Sequence, residues 1–135
     1  ELLKSAALSG IDVRIMIPKM PDHMFVYWAT YSYVGILMES GVKVYIYDNG
    51  FLHAKTMVVD GEVSSIGSAN FDIRSFRLNF ECNAFIYDEQ FSENAKNIFL
   101  NDLLKSHELT PALYHSRPLW IRFKESISRL LSELL

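Results

Sequence analysis

Two stretches of this sequence repeat one local grammar, and that repeat limits the fold more than any other feature. Leu2, Leu3, Ala6, Ala7 and Leu8 read as the end of a helix closed by Ser9-Gly10. Ile11 to Ile17 then alternates apolar and polar residues as a strand does, and stops at Pro18. A second apolar helix from about Phe25 to Met38 closes on Ser40-Gly41 and leads into the strand Val42 to Tyr47. The match between Ser-Gly-Ile-Asp-Val-Arg-Ile and Ser-Gly-Val-Lys-Val-Tyr-Ile implies two neighbouring parallel strands joined by a crossover helix, a βαβ unit.

After Asp48-Asn49-Gly50 the pattern changes. Leu52 to Val59 and Glu62 to Ser68 are strand-like and flank Asp60-Gly61, a strong two-residue hairpin signal. A third strand over Leu78 to Tyr87 precedes a helix that Asp88 caps and that runs to about Lys105. Pro118 opens a last helix, with Trp120, Phe123, Ile127, Leu130, Leu131 and Leu134 at helical spacing, read as ordinary core packing. Its apolar face is compatible with membrane contact, but Arg122, Lys124 and Arg129 are balanced by Glu125 and Glu133, so no basic stripe stands out. The expected architecture is α/β, a mixed β-sheet flanked by helices on both faces, with residues 1–135 as one domain.

Composition narrows the class. With 13 Lys plus Arg against 16 Asp plus Glu, the net charge is 13 − 16 = −3, and half of the 135 residues are apolar. A chain of this length buries roughly two thirds of its unfolded surface. These values exclude a disordered tail and a highly basic nucleic-acid module, and no nucleic acid is expected as a partner. Cys82 is the only cysteine, so a disulfide framework and a cysteine zinc site are excluded and a reducing cytosolic setting is the easier reading. The longest uncharged run, His23 to Met38, has 16 residues, short of the roughly 18 of a membrane span. The start in mid-helix pattern at Glu1 reads as a piece of something longer.

The hairpin also locates chemistry. If Asp60 and Gly61 are the central turn residues, Val59 faces Glu62, His53 faces Ser68, and His53, Lys55 and Ser68 share one face, with Asn70 extending the row if the chain stays extended past Ser68. Asn79, Glu81 and Asn83 form a second one-sided polar row. A histidine beside a lysine suits attack on phosphorus: the imidazole serves as nucleophile or proton donor and the ammonium neutralises phosphoryl oxygens. The Ser68 hydroxyl and the Asn70 amide are donors for the same oxygens. Glu81 is either a solvated strand residue or the acceptor that fixes the tautomer of His53. Asp60 is either a turn residue or part of the chemistry. His23, after Asp22, reads as a loop residue with substrate contact as the alternative. The aromatic helix carrying Phe25, Tyr27, Trp28, Tyr31 and Tyr33 is core or interface, with the wall of a lipid cleft as the other reading.

The joint spacing His53-x-Lys55-x4-Asp60-x6-Gly67-Ser68-x-Asn70 resembles the HKD signature of the phospholipase D superfamily at every position. Ile17-Pro18-Lys19-Met20-Pro21-Asp22-His23, Gly50-Phe51-Leu52-His53-Ala54-Lys55, Asn79-Phe80-Glu81 and Arg117-Pro118-Leu119-Trp120 look like the C-terminal half of a bacterial cardiolipin synthase. The resemblance implies a phospholipase D-like half-domain and two HKD motifs on a pseudo-twofold axis. One histidine forms a phosphohistidine and the other acts as general acid and then base, with no metal and no cofactor. The implied reaction joins two phosphatidylglycerol molecules into cardiolipin and releases glycerol. Carried over, His53, Lys55 and Asp60 are the catalytic motif residues, with Asp60 in a structural role at the turn. Lys55, Ser68 and Asn70 bind phosphate, and Glu81 is the partner of His53, which is acid/base where the N-terminal motif supplies the nucleophile.

This chain holds one motif, because His23, His107 and His115 have no lysine two residues on. The implied partners are the N-terminal HKD half of a parent chain, phosphatidylglycerol and a membrane surface. The parent is expected at the cell membrane with this domain on the cytoplasmic side, and the piece itself soluble and inactive alone. Two other readings compete: a phospholipase D-like phosphodiesterase or nuclease acting as a homodimer, against which net acidity counts, and an inert assembly fragment.

Overall fold

A computed structural model describes residues 1–20 and 24–130, so Pro21, Asp22 and His23, with the substrate-contact reading of His23, lie outside the described residues, as do Leu131 and Leu134. The chain divides into two compact units: residues 1–52 with 106–135, and residues 53–105.

The first unit is the repeat made solid. Helix α1 (Leu2–Leu8) leads to β1 (Arg14–Pro18), and α2 (Met24–Glu39) crosses over to β2 (Lys43–Tyr47). β1 and β2 pair in parallel from Arg14↔Lys43 to Pro18↔Tyr47. Both helices end in the same way, with Gly10 and Gly41 at φ +89° and +91°. The Ile11 and Val42 N–H groups donate back to Ala6 and Leu37 carbonyls, each at 3.1 Å. Only a residue without a Cβ takes that left-handed turn without strain, which is why the sequence repeats Ser-Gly. The unit's core is Ile17, Tyr31, Val34, Val42, Val44, Ile46 and Leu109. Tyr31 and Val34 put the aromatic helix in the core, the plainer of the two readings.

Three elements of this unit complete the picture. β6 (Ser106–Glu108), absent from the sequence expectation, pairs antiparallel with β2, so the sheet order β1-β2-β6 is mixed. α5 (Pro111–His115) is capped by Thr110, whose hydroxyl accepts from Leu113 N–H, and α6 (Leu119–Leu130) follows and packs on α2. Ordinary core packing of the α6 apolar face does not hold. Trp120, Phe123 and Ile127 are exposed while Glu125 and Ser128 are buried. The reason is Arg117: its guanidinium lies 3.6 Å from the Tyr114 ring centroid, its Nε donates to the Tyr114 carbonyl at 2.7 Å, and its Nη1 donates to Glu125. That cation draws the carboxylate side of α6 inward.

The second unit holds β3 (Thr56–Val59), β4 (Val63–Gly67), α3 (Ile73–Arg77), β5 (Asn83–Ile86) and α4 (Glu89–Leu103), with an antiparallel sheet β3-β4-β5. The mixed α/β architecture is therefore distributed over two three-stranded sheets. Asp88 caps α4 as expected, accepting from Phe91 N–H at 2.7 Å. α4 packs on β3 and β4, where the Ser64 hydroxyl donates to Ser92 Oγ at 2.9 Å in a fully buried contact.

Candidate active site

The hairpin that carries the motif is shifted by one residue from the register the sequence implies. Asp60 and Gly61 both have positive φ, 55° and 78°, and Glu62 N–H donates to the Val59 carbonyl at 3.0 Å, as a two-residue turn requires. Yet Val59 pairs with Val63, and the ladder runs Val58↔Ser64, Met57↔Ser65 and Thr56↔Ile66. Glu62 is an extra residue on the β4 side, so the expected pairing of Val59 with Glu62 is displaced by one. A slip of one residue exchanges the two faces of a strand. The Gly67 N–H donates to the Lys55 carbonyl at 3.2 Å, which sets Lys55 opposite Gly67 and corrects the expectation that Ser68 falls on the face of His53 and Lys55 by hairpin register.

The site is instead assembled through β5. Gly67 pairs with Asn83, so Lys55, Gly67, Asn83 and, two residues back, Glu81 have the same parity. This is the polar row of Asn79, Glu81 and Asn83 expected from the sequence, now joined to Lys55, although β5 itself starts only at Asn83. A Cβ on Gly67 would collide with the Asn83 side chain and the Cys82 carbonyl, so glycine here permits the close strand approach. Ser68 leaves the strand in a bend, exchanges hydrogen bonds with Cys82 (its N–H to the Cys82 carbonyl, Cys82 N–H to its Oγ, both 3.0 Å) and donates its hydroxyl to Glu81 Oε2 at 2.5 Å.

Glu81 accepts several hydrogen bonds at the centre of this cluster. Besides Ser68, it accepts from Ser75 Oγ at 3.0 Å and from Asn79 Nδ2 at 3.2 Å. These donors, the Ser68 hydroxyl foremost, and the nearby Lys55 ammonium hold its carboxyl below the ordinary range, so it is anionic at neutral pH. Ser75 was not singled out in the sequence. The signal for it is Asp72, whose Oδ1 accepts from Ser75 N–H at 2.7 Å and starts α3, turning the Ser75 hydroxyl onto Glu81. Asn83 likewise anchors the loop, accepting from Ala69 N–H at 3.1 Å and donating to Ser65 Oγ at 3.1 Å.

The remaining motif residues surround this cluster in different ways. His53 and Asn70 are exposed on the segments leading into β3 and out of β4, and Lys55 Nζ lies 3.4 Å from the His53 carbonyl. Asp60 sits in the turn at the other end of β3, a strand of four residues and so roughly 13 Å long at about 3.3 Å per residue. Among the described residues there is no group of three or more His, Cys, Asp or Glu side chains placed to hold a metal ion. What the arrangement offers chemically is an exposed imidazole, an ammonium and small hydroxyl and amide donors around one fixed carboxylate, a set suited to phosphoryl oxygens.

The fold is of the phospholipase D kind. The solved structure of a phospholipase D family member, Nuc from Salmonella typhimurium, superimposes with a TM-score of 0.68 over 79% of this chain and 70% of that one, at 21% identity. The chain belongs to the family described as cardiolipin synthase, PLD-like domain, whose sequence model matches residues 1–103. Over all 135 residues it is 64% identical to the cardiolipin synthase of Listeria monocytogenes serotype 4b (strain F2365) and 62% identical to the major cardiolipin synthase ClsA of Bacillus subtilis (strain 168). Over 133 residues it is 59% identical to the cardiolipin synthase of Staphylococcus aureus (strain Mu50 / ATCC 700699). The chain spans only 27–28% of the length of these relatives.

Proposed function

We propose that this chain is one catalytic half, the C-terminal one, of a two-motif cardiolipin synthase that transfers a phosphatidyl group between two phosphatidylglycerol molecules. The observation that carries this reading is the HKD motif on its hairpin, with Lys55, Ser68 and a fixed anionic Glu81 gathered across the β4–β5 pair. In the first step an imidazole nitrogen bonds to the phosphorus of one phosphatidylglycerol as the bond to the glycerol oxygen breaks. The second histidine gives that oxygen its proton and glycerol leaves. The same histidine then takes the proton of a hydroxyl on the second phosphatidylglycerol, whose oxygen bonds to phosphorus as the phosphorus–nitrogen bond breaks.

In this scheme His53 is one of the two histidines, and we assign it the acid/base role. Lys55, Ser68 and Asn70 bind the phosphoryl oxygens, Lys55 as a fixed charge and the others as neutral donors. Glu81 positions His53 and stabilises its imidazolium, and Asp60 shapes the turn. No metal or cofactor enters. The other histidine comes from the N-terminal HKD half, so the isolated chain is inactive. The parent protein works at the membrane, with this domain on the cytoplasmic side. Among the described residues no helix is long and apolar enough to cross a bilayer.

The test is cardiolipin and glycerol formation by the full-length enzyme. His53→Ala should lower the rate by about a thousandfold or more, within the range for loss of an acid/base group or nucleophile. Unchanged activity would remove His53 from the chemistry. A phosphodiester with a nitrophenol leaving group needs no protonation, so a retained burst of nitrophenol in His53→Ala supports the acid role, and loss of the burst assigns His53 as nucleophile.

A further inference from the structure

Helix α6 is amphipathic in the wrong sense for a helix of a solvent-exposed surface. Its inward side presents Glu125 and Ser128, 4% and 1% exposed, and the Ser128 hydroxyl has no hydrogen-bond partner among the described residues. Its outward side presents Leu119, Trp120, Phe123 and Ile127, at 78%, 64%, 55% and 41% exposure. At about 100° per residue these four lie within one arc, and the Trp120 and Phe123 rings stack with centroids 5.8 Å apart. An exposed contiguous patch of this kind marks a surface that something else covers.

The charges beside the patch say what covers it. In sequence, Glu125 and Glu133 offset Arg122, Lys124 and Arg129 and no basic stripe is visible. In the structure Glu125 is internal and bound by Arg117, so its charge never reaches the surface. From residue 119 to 128 the charged side chains left to solvent are Arg122 and Lys124, both positive. The Lys124 ammonium is held 4.8 Å over the Trp28 ring and 5.4 Å from that of Trp120, at the border of the apolar arc. Exposed Trp and Phe flanked by Lys124 on one border of the arc and Arg122 on the other suit the headgroup level of a bilayer carrying negative lipids.

We propose that the outward face of α6 docks on an anionic phospholipid surface, lying in its plane with Trp120, Phe123 and Ile127 below the headgroups and Arg122 and Lys124 among the phosphates. The choice of an anionic lipid rests on the phosphatidylglycerol-transfer reading, since that substrate is itself an anionic lipid. The contact uses none of the motif residues, and it gives the first unit its own hold on the membrane.

The experiment uses the 135-residue chain with Trp28→Phe, so that Trp120 is the sole indole, and vesicles of equal parts brominated phosphatidylglycerol and phosphatidylcholine. Trp120 emission should shift to the blue and be quenched, and Phe123→Ser/Ile127→Ser should weaken binding by about tenfold or more, with the far-UV circular dichroism unchanged. No quenching in a chain with native circular dichroism overturns the proposal, and equal binding to pure phosphatidylcholine overturns its anionic part. A dimer in sedimentation that the double substitution dissolves, without vesicle binding, overturns it in favour of a second copy of the chain. The readout does not involve His53: vesicle binding together with full activity of the full-length His53→Ala enzyme would sink the catalytic role of His53 alone, and absent binding with that activity lost would sink this docking alone.

Discussion

The two units of this protein are held together by different physics. The first surrounds Val44, 1% exposed, with Ile17, Val34, Ile46 and Leu109, an apolar core between a βαβ sheet and its helix. The second buries serines: Ser64, Ser65, Ser75 and Ser92 are its most enclosed polar residues, while Met57, Val59, Phe76, Phe80 and Phe85 are exposed. Burying a valine fully stabilises a fold by about 1.5–3 kcal/mol, whereas a hydrogen bond contributes about 0.5–1.5 kcal/mol net. The first unit is thus built for stability. The second spends its interior on fixing polar groups, and it is the unit that carries the motif.

The largest effect that tests this contrast lies in the first unit, at the enclosed ion pair of Arg117 and Glu125. Arg117 is boxed by Tyr114 and Glu125, with the two charged side chains 14% and 6% exposed. Arg117→Met leaves a carboxylate enclosed without its cation, which should cost about 3–5 kcal/mol in urea unfolding at neutral pH. Burial already pushes the Glu125 carboxyl above its ordinary value in spite of Arg117. An acid whose folded value is raised gains stability as pH falls through that value, so the deficit of Arg117→Met should shrink on acidification. A loss below about 1 kcal/mol at neutral pH would mean that the pair is an ornament of a core held by other contacts.

That ion pair also marks where the sequence stopped being legible. Glu125 reads as a surface charge on a helix whose apolar stripe faces the core, and only the position of Arg117, eight residues earlier and folded back through Tyr114, reverses the helix. The βαβ unit was legible because period-two strands and two glycine-terminated helices are local signals. β6 was not: Ser106, His107 and Glu108 carry no strand pattern, and they join β2 by long-range pairing, with His107 Nδ1 2.5 Å from Asp48. At the site, the motif residues were legible from their spacing, yet the face they share was not. An extra residue after Asp60-Gly61 moves every partner by one, and nothing in Glu62 announces that it stands outside the ladder. Ser75 is not legible either, because its approach to Glu81 depends on the turn that Asp72 caps.

A medium-sized effect tests the hydrogen-bonded interior of the second unit. Ser64→Ala strands the buried Ser92 hydroxyl and should cost about 1–3 kcal/mol, the price of a polar group enclosed without its partner. Adding Ser92→Ala should cost little more, because two methyl groups then face each other. A double-mutant cycle by urea unfolding should therefore give a coupling of about 1 kcal/mol. Strict additivity of the two losses would show that the serines pack as small residues and that their hydrogen bond contributes nothing.

The smallest effect separates the two units by their carboxylates. In the first, Asp12 accepts from Arg14 at 2.6 Å and Lys43 at 2.9 Å, and these cations bring its carboxyl down from 3.8 to about 2. In the second, the carboxyl of Glu81 is lowered chiefly by the neutral donors Ser68 and Asn79, with Lys55 the least of its causes. Salt screens exposed ion pairs and leaves neutral hydrogen bonds nearly untouched. Titration by carbon-13 NMR at low and at high salt should move Asp12 back toward its ordinary value while Glu81 stays depressed. For Asp12 the depressed value means stability that is present above the unfolded value and is lost as pH falls from about 3.8 toward about 2, a loss that Asp12→Asn removes. Nearly half of the Asp12 side chain is exposed, so screening keeps that contribution to about 1 kcal/mol or less. Equal salt shifts at the two carboxyls would mean that Lys55, and not the hydroxyl of Ser68, governs Glu81, and the polar site would then rest on the same ion pairing as the surface of its neighbour.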